Sequence, residues 1–235
     1  MKRILALAAL GCAALAFGTG TAGATNECRG LLVCVPVAGP WVVVPAQSRR
    51  VEYQLRCPRG YVVGGLDAEL SSRAIDVTFL GFTGSPVNPG VTTSRDAVFL
   101  ALHTGAVGRA TTFRPHIGCL PASGGGGGSP PAFRRLALAF PPGRPAVRRV
   151  KTITVAAGAV RRAVHACARG ERLISSSHAV GFYTQRPPLE ALIAGVTVRR
   201  SVHAGRIRVI VSATDAAFGV RAIVQVHAVC AGSVQ

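Results

Sequence analysis

Acidic, aromatic and lysine residues are scarce in this sequence. Nine of its 235 residues are Asp or Glu, 6% are aromatic, and one is Trp. Proteins that bind nucleic acid usually add aromatic side chains, on which bases can stack, to their basic groups. This scarcity therefore argues against nucleic acid as the partner of the chain.

Long hydrophobic runs are absent beyond the N-terminus. Residues 25–235 contain no stretch of about 18 uninterrupted apolar residues, the minimum that a bilayer-spanning helix needs. We therefore expect no transmembrane segment in that part of the chain. Helical periodicity is not sustained there either, which argues against an α-helical fold.

The first 24 residues have the layout of a secretory signal peptide. Lys2 and Arg3 precede an apolar run over residues 4–17, and small residues end this segment at Ala24. Such an order is typical of a signal that is cleaved, here near Ala24. A lipoprotein signal ending at Cys12 is the alternative, although Ala9 occupies the position where such signals usually carry Leu. We expect an extracellular or cell-envelope protein.

Arginine supplies nearly all of the positive charge. The chain has 27 Lys and Arg residues against its nine acids, a formal net charge of +18, and Lys151 is the one lysine beyond the signal segment. One interpretation is a coding bias toward Arg and Ala. The other is attraction to polyanions such as wall polymers, anionic lipid surfaces or nucleic acid, and composition fits both.

Cysteine usage points to an oxidising compartment. Removing Cys12 with the signal leaves an even number of cysteines in an exported chain, which predicts disulfides. The six are Cys28, Cys34, Cys57, Cys119, Cys167 and Cys230.

Two motifs occur twice at nearly constant separation. The sequence C-P-R-G at 57–60 recurs as C-A-R-G at 167–170, and H-I-G-C at 116–119 recurs as H-A-V-C at 227–230. The separations differ by one residue, which favours two copies of one unit. A run of five glycines at 124–128 is typical of a flexible connector. We therefore divide the chain into a signal (1–24), module 1 (25–120), a linker (121–131) and module 2 (132–235).

Each copy contains short segments rich in β-branched and aromatic residues, separated by Gly, Pro, Asn or Ser. Such segments are typical of strands, and many of them in series predict a sandwich or barrel. The fold class predicted is all-β, with two tandem, disulfide-stapled, β-sandwich-like modules. The strands expected are 42–44, 51–55, 61–63, 76–82, 97–102 and 111–117, then 150–155, 161–165, 191–198, 206–212 and 221–229.

The two copies restrict the disulfide pairing. Six cysteines allow fifteen pairings, but two copies of one fold must pair equivalent positions. Cys57 with Cys119 and Cys167 with Cys230 is the economical choice, which leaves Cys28 to Cys34.

These motifs resemble a loosely defined β-module that recurs in exported bacterial proteins of unassigned function. The matching positions of the first copy are Val44-Pro45-Ala46, Cys57-Pro58-Arg59-Gly60, Gly64-Gly65 and Cys119. The second copy keeps the cysteine motifs but carries Ile174-Ser175 in place of the glycine pair. The cysteine spacing is also similar to that of immunoglobulin-like sandwiches, although neither copy has a Trp between its cysteines. The resemblance implies a β-module and no particular activity.

Three groups of residues could carry chemistry. His and Cys in H-x-x-C are zinc-ligand types, but residues three apart on a strand point to opposite faces, so we expect no metal site and no cofactor. The run from Ser175 to His178 holds nucleophile and base types, and we interpret it as a polar turn. Asp67 and Glu69 are two residues apart and would lie on the same face of a strand, where two carboxylates could work as a pair.

The basic residues are concentrated in the second copy, where a polyanion would bind. Residues 25–128 carry nine Arg and six acids, whereas residues 129–235 carry fifteen Arg, one Lys and three acids. We therefore expect a non-enzymatic binding or structural protein with weak affinity for an anionic cell-envelope polymer. The alternative is a small secreted hydrolase that uses residues 175–178. The candidate anion-binding residues are Arg134, Arg135, Arg148, Arg149, Arg161, Arg162, Arg199 and Arg200.

Overall fold

The computed structural model describes residues 26–46, 50–80, 95–105, 108–122 and 146–231. The predicted signal peptide, nearly all of the predicted linker, the start of module 2 and the pair Arg134-Arg135 lie outside these ranges. In the described part no helix is long and apolar enough to cross a membrane.

The described residues of the first module form seven strands. They are β1 (Val35–Ala38), β2 (Trp41–Val44), β3 (Val51–Arg56), β4 (Tyr61–Leu70), β5 (Ile75–Leu80), β6 (Asp96–His103) and β7 (Thr111–Pro121).

The second module contains six described strands and one short helix. They are β8 (Ala146–Val155), β9 (Val160–Ala166), β10 (Arg172–Tyr183), α1 (Glu190–Ala194), β11 (Val196–His203), β12 (Arg206–Ala213) and β13 (Arg221–Ala231), with a 3-10 turn at Asp215–Ala217 before the last strand.

Each module is a sandwich of two antiparallel sheets, which confirms the predicted fold class. In module 1 the sheet β3–β6–β5 packs on β2–β7–β4, and in module 2 the sheet β9–β12–β11 packs on β8–β13–β10. Corresponding strands therefore occupy the same places in both modules. The motif that ends in Cys119 or Cys230 forms the central strand of its sheet.

The two modules share one sheet. Strand β2 pairs with β10 through Val42 opposite Gly181 and Trp41 opposite Phe182. The result is a seven-stranded sheet in the order β4–β7–β1/β2–β10–β13–β8. Close approach at this junction needs a glycine, because a Cβ at position 181 would lie 2.6 Å from Cγ of Pro40.

The two smaller sheets cover opposite faces of the shared sheet. Val42 and Ile223 pack in one core with the β3–β6–β5 sheet, whereas Phe182 and Val224 pack in the other core with the β9–β12–β11 sheet. Because residues on a strand alternate between faces, β13 contributes to both cores. This explains why its residues 222–228 are all buried.

A buried glutamine joins module 2 to the edge of module 1. The side-chain oxygen of Gln225 accepts a hydrogen bond from the backbone N–H of Gln54 at 2.9 Å, and its Nε2 donates to the Gln54 carbonyl at 2.8 Å. Gln225 is 6% exposed. Its amide therefore forms the backbone hydrogen bonds with edge strand β3 that a neighbouring strand would otherwise form.

The three disulfides pair the cysteines as predicted. Cys57–Cys119 connects the residue after β3 to β7, and Cys167–Cys230 connects the residue after β9 to β13, so each joins a smaller sheet to the shared sheet. Each bridge therefore crosses the core of its own sandwich. Cys28–Cys34 closes a short loop before β1.

Two predicted elements were wrong. Residues 175–178 are not a turn but lie inside β10, whose ladder with β13 runs from Arg172 to Tyr183. Residues 190–194 form α1, where the strand 191–198 was expected. β10 ends at Tyr183, Pro187 and Pro188 lack the N–H that a strand ladder needs, and the following E-A-L-I-A is rich in helix-forming residues. β11 begins only after Gly195.

The long disulfides should stabilise the fold more than the short one. Replacing Cys57 and Cys119 by Ala should lower the free energy of unfolding by about 4 kcal/mol, because the bridge closes a long loop of the unfolded chain. Replacing Cys28 and Cys34 should cost about 2 kcal/mol by the same relation. Urea denaturation monitored by circular dichroism measures both losses, and equal losses would contradict the expectation.

Removing the Gln225 amide should weaken the contact between the modules. Gln225→Leu leaves a buried N–H and carbonyl of Gln54 without partners, so we expect a loss of about 1–3 kcal/mol in unfolding free energy. Gln54→Leu is the matched control, since only the backbone of Gln54 takes part. Chemical denaturation of both variants tests this, and a control that loses as much as Gln225→Leu would count against the assigned role.

Candidate anion-binding face

The outer face of the β9–β12–β11 sheet is arginine-rich. Along the central strand β12, Ile207, Val209 and Val211 are buried, whereas residues 206, 208 and 210 point outward. Two of the outward residues, Arg206 and Arg208, are exposed arginines. The alternation therefore separates an apolar inner face from a basic outer face.

The two edge strands add arginines to the same face. Arg162 of β9 and Arg199 of β11 both lie opposite Ile210 of β12. Residues paired across strands point to the same face. We call Arg162, Arg199, Arg206 and Arg208 the arginine quartet.

The spacing within the quartet follows from strand geometry. Arg162 and Arg199 are two strand spacings apart, about 10 Å, and Arg206 and Arg208 are two residues apart, about 7 Å. Four guanidinium groups therefore cover an area larger than one small anion. Such an array suits a ligand with several negative charges.

A shallow cavity of about 520 Å³ lies within this face. Three members of the quartet, Arg162, Arg199 and Arg208, line it together with the exposed apolar residues Val164 and Ile210. A guanidinium forms bidentate hydrogen bonds with phosphate and carboxylate groups. The cavity can therefore hold an anionic group against both charge and apolar surface.

Nothing on these three strands neutralises the quartet. The sequences of β9, β11 and β12 contain six Arg and no acid. Within the described ranges, no ion pair includes a member of the quartet. The positive charge of this face is therefore available to a ligand.

The equivalent sheet of module 1 has a different composition. Its strands β3, β5 and β6 contain three acids, Glu52, Asp76 and Asp96, and one arginine, Arg56, which is paired with Asp96. The charge difference between the two halves of the sequence therefore appears as a difference between two corresponding sheets.

The predicted arginine pairs are split by the strands. Neighbours on a strand point to opposite faces, so of the pair 161–162 and the pair 199–200 only Arg162 and Arg199 join the quartet. Arg200 instead donates hydrogen bonds to the carbonyl and Oγ of Ser176. Arg200 nevertheless contributes to the rim of the cavity beside Arg199, and anion binding by the predicted arginines stays a prediction.

The pair 148–149 is engaged elsewhere. Arg148 pairs with Glu52 of module 1, and Arg149 pairs with Glu171, which also accepts a hydrogen bond from the N–H of Ala168. Arg149 and this backbone donor lower the pKa of Glu171 to about 2. Neither arginine of the pair has a free guanidinium.

Sequence reasoning missed Arg206 and Arg208. The signal was present in the alternation Arg206-Ile207-Arg208-Val209, which indicates a strand with one basic face. Adjacent arginines do not identify such a face, because residues on the same face of a strand are two positions apart.

The proposed hydrolase residues do not form a nucleophile–base pair. Ser177 Oγ donates to the carboxylate of Glu52 at 3.1 Å, and Ser176 is engaged by Arg200. His178 lies on the opposite face of β10 from Ser177, and burial and the charge of Arg200 lower its pKa. In the described part of the chain no hydrogen bond joins a serine of this run to an imidazole.

The H-x-x-C residues point apart, as expected from strand geometry. Cys119 and Cys230 face the cores and form disulfides, whereas His116 and His227 face the other side of their strands. The described group whose donor atoms lie close enough for one ion is Cys167, Glu171 and Cys230. Its sulfurs are bonded to each other and its carboxylate is paired with Arg149.

His227 belongs to a buried polar cluster between the modules, formed with Glu52, Arg148 and Ser177. His227 is fully buried, and its Nδ1 lies 3.4 Å from Nη1 of Arg148. Burial, reinforced by the charge of Arg148, lowers the pKa of His227 to about 4. Burial alone would raise the pKa of Glu52, but hydrogen bonds and charge from Arg148 outweigh it, so this pKa is lowered.

Comparison of the chain with protein-family models, with curated proteins and with solved structures finds no match. The class of protein is therefore defined here by its fold and by the basic outer face. The chain is a disulfide-stapled all-β protein of two sandwich modules that share one sheet, with a basic outer face on the second module.

Acid should destabilise the contact between the modules. Between pH 6.5 and pH 4 the unfolded chain binds a proton at His227 that the folded chain excludes, so stability falls as pH falls through this window, by up to about 3 kcal/mol. The neighbouring charges are Arg148, Glu52, His165 and His178, and the lowered pKa values of Glu52 and His178 act in the same direction.

Urea denaturation between pH 4 and pH 7.5 measures this dependence. His227→Gln should flatten the profile, whereas His203→Gln, on the exposed surface of β11, should leave it unchanged. A wild-type stability that is independent of pH in this range would refute the assignment.

Proposed function

We propose that the protein is a secreted or envelope-associated, non-enzymatic β protein whose second module binds anionic polymer of the cell envelope. The arginine quartet on the outer face of the β9–β12–β11 sheet is the binding surface. The observation that carries the proposal is the set of four outward arginines on a sheet without acids.

Multivalency is the physical basis of this binding. A single exposed ion pair contributes about 0–1 kcal/mol, so one arginine would hold a ligand poorly. Several contacts along one polymer add, because the later ones form within an already bound chain. A long polyanion should therefore bind measurably where a single phosphate does not.

The two modules support a division of roles. We propose that they are copies of one ancestral unit and that both resemble the β-module of exported bacterial proteins. Among the described strands the basic face occurs on module 2 alone, which supports binding by that module. Module 1 supplies the shared sheet and the N-terminal loop.

The experiment compares two triple variants of equal net charge. Arg162→Gln, Arg199→Gln and Arg208→Gln together remove three quartet charges. The control replaces Arg29, Arg59 and Arg73 of module 1, which are exposed, by Gln. Binding to immobilised polyphosphate and to alginate is measured over a series of salt concentrations, and circular dichroism verifies that both variants fold.

The quartet variant should lose at least tenfold in affinity, and the slope of log affinity against log salt should fall by about two to three. The control should bind within about twofold of the wild type. Equal losses in both variants would show that net charge, and not this face, attracts the polymer. Absence of binding by the wild type at low salt would refute the proposal.

A further inference from the structure

The N-terminal loop, residues 26–34, presents an apolar tip to solvent. Its sequence is N-E-C-R-G-L-L-V-C. Leu32 is fully exposed and Val33 is 59% exposed. A single exposed leucine is common on protein surfaces, but neighbouring apolar residues that project together indicate a contact with a partner or a membrane.

The base of this loop is fixed to the shared sheet. A Cβ at Gly65 would lie 1.8 Å from the Glu27 carbonyl oxygen, and a Cβ at Gly118 would lie 2.1 Å from the same atom, so two glycines make room for the loop backbone. The Cys28–Cys34 disulfide closes the loop, and the N–H of Leu31 donates to the Cys28 carbonyl at 3.2 Å. A tip held in this way loses little conformational entropy when it binds.

The loop and the arginine-rich face lie on the same side of the shared sheet. Ile117 and Cys119 belong to the core under the β3–β6–β5 sheet. Gly118 lies between them and therefore faces the other side, where the loop packs on it. The β9–β12–β11 sheet covers that same side over module 2, because its core contains Phe182 and Val224. A flat surface on this side could contact both features.

The arginine-rich face combines charge with apolar surface. Val160, Val164 and Ile210 are 59%, 51% and 40% exposed. Val164 lies opposite Arg208, and Ile210 lies in the row between two arginines of the quartet. A soluble polyanion would contact only the charges, whereas a phospholipid offers an anionic headgroup beside apolar chains.

We propose that this side of the molecule docks on an anionic phospholipid bilayer. Leu32 and Val33 insert among the lipids, and the arginine quartet lies on the headgroups. The affinity of such a contact grows with the apolar area inserted and with attraction to anionic lipid. The electrostatic part rests on the quartet of the proposed function, but the insertion of the loop does not.

A bilayer fits this side better than another protein does. A specific protein interface buries about 800 Å² on each partner and needs a complementary shape, whereas the loop tip offers two apolar side chains. A bilayer accepts a small apolar tip without a shaped pocket. Anionic headgroups also complement the formal net charge of +18.

Vesicle sedimentation with the exported, disulfide-bonded protein tests the proposal. The predicted signal segment is removed first, because its apolar run would itself bind lipid. One set of vesicles contains equal parts of phosphatidylglycerol and phosphatidylcholine, and the other contains phosphatidylcholine alone. The wild type should bind the anionic vesicles about tenfold more tightly than the neutral ones. Neutral vesicles bound as tightly as anionic ones would overturn the electrostatic part.

Two matched serine variants locate the inserted tip. Leu32→Ser should weaken binding to anionic vesicles about fivefold, because a leucine no longer leaves water. Leu80→Ser is the control, since Leu80 is 51% exposed on β5 of the sheet that covers the opposite side, and it should bind as the wild type does. Equal vesicle binding by Leu32→Ser and the wild type would overturn the role of the loop.

Immobilised polyphosphate separates this proposal from the proposed function. Leu32→Ser should bind polyphosphate as the wild type does, because the substitution changes no charge. A wild type that binds polyphosphate but not anionic vesicles would overturn the lipid proposal alone, whereas one that binds neither would refute both. A lipid-free dimer that Leu32→Ser abolishes would show that a second copy covers the tip, and would also overturn the lipid proposal.

A tryptophan placed at the tip reports insertion directly. The single native tryptophan, Trp41, is 2% exposed, so its emission should change little when vesicles are added. The emission of Leu32→Trp should shift to shorter wavelength on anionic vesicles, because the indole enters a less polar region. Leu80→Trp should show no shift. An unshifted spectrum of vesicle-bound Leu32→Trp would contradict insertion.

Discussion

Strand β2 forms backbone hydrogen bonds with β7 of its own module along one edge and with β10 of the second module along the other. Backbone groups at a sheet edge need partners, and an open edge invites pairing with other chains. Here β10 supplies the partner for β2, and the Gln225 amide supplies one for part of β3. Two short sandwiches thereby become one body with a continuous sheet and two cores.

The placement of charge depends on this junction. Because the smaller sheets cover opposite faces of the shared sheet, the outer face of β9–β12–β11 points away from module 1. Arginines near the junction, such as Arg148, meet acids of module 1 and are neutralised. Arginines on the far side meet no acid on their own strands. Arginine therefore stabilises the contact between the modules near the junction and is available to a ligand on the outer face of β9–β12–β11.

The two histidines of the repeated H-x-x-C motif show how corresponding positions acquire different surroundings. His227 is covered by β3 of module 1 and lies beside Arg148, so its pKa is lowered. His116 is covered by the N-terminal loop and lies between Glu27 and Glu69. In β7 and β13 the histidine lies on the face that points away from the core of its own module. The segment that packs on this face, the N-terminal loop or β3, determines which charged groups surround the histidine.

The all-β class, the two-module layout and the disulfide pairs could be predicted from the sequence, because β-branched segments, duplicated motifs and an even cysteine count are local or countable signals. The sequence also located the excess charge in the second half. Three features could not be predicted in this way: β2 pairs with β10, the serine run lies inside a strand, and Arg206 and Arg208 share a face with Arg162 and Arg199. The physical reason is that strand pairing brings together residues far apart in the chain and assigns neighbouring residues to opposite faces.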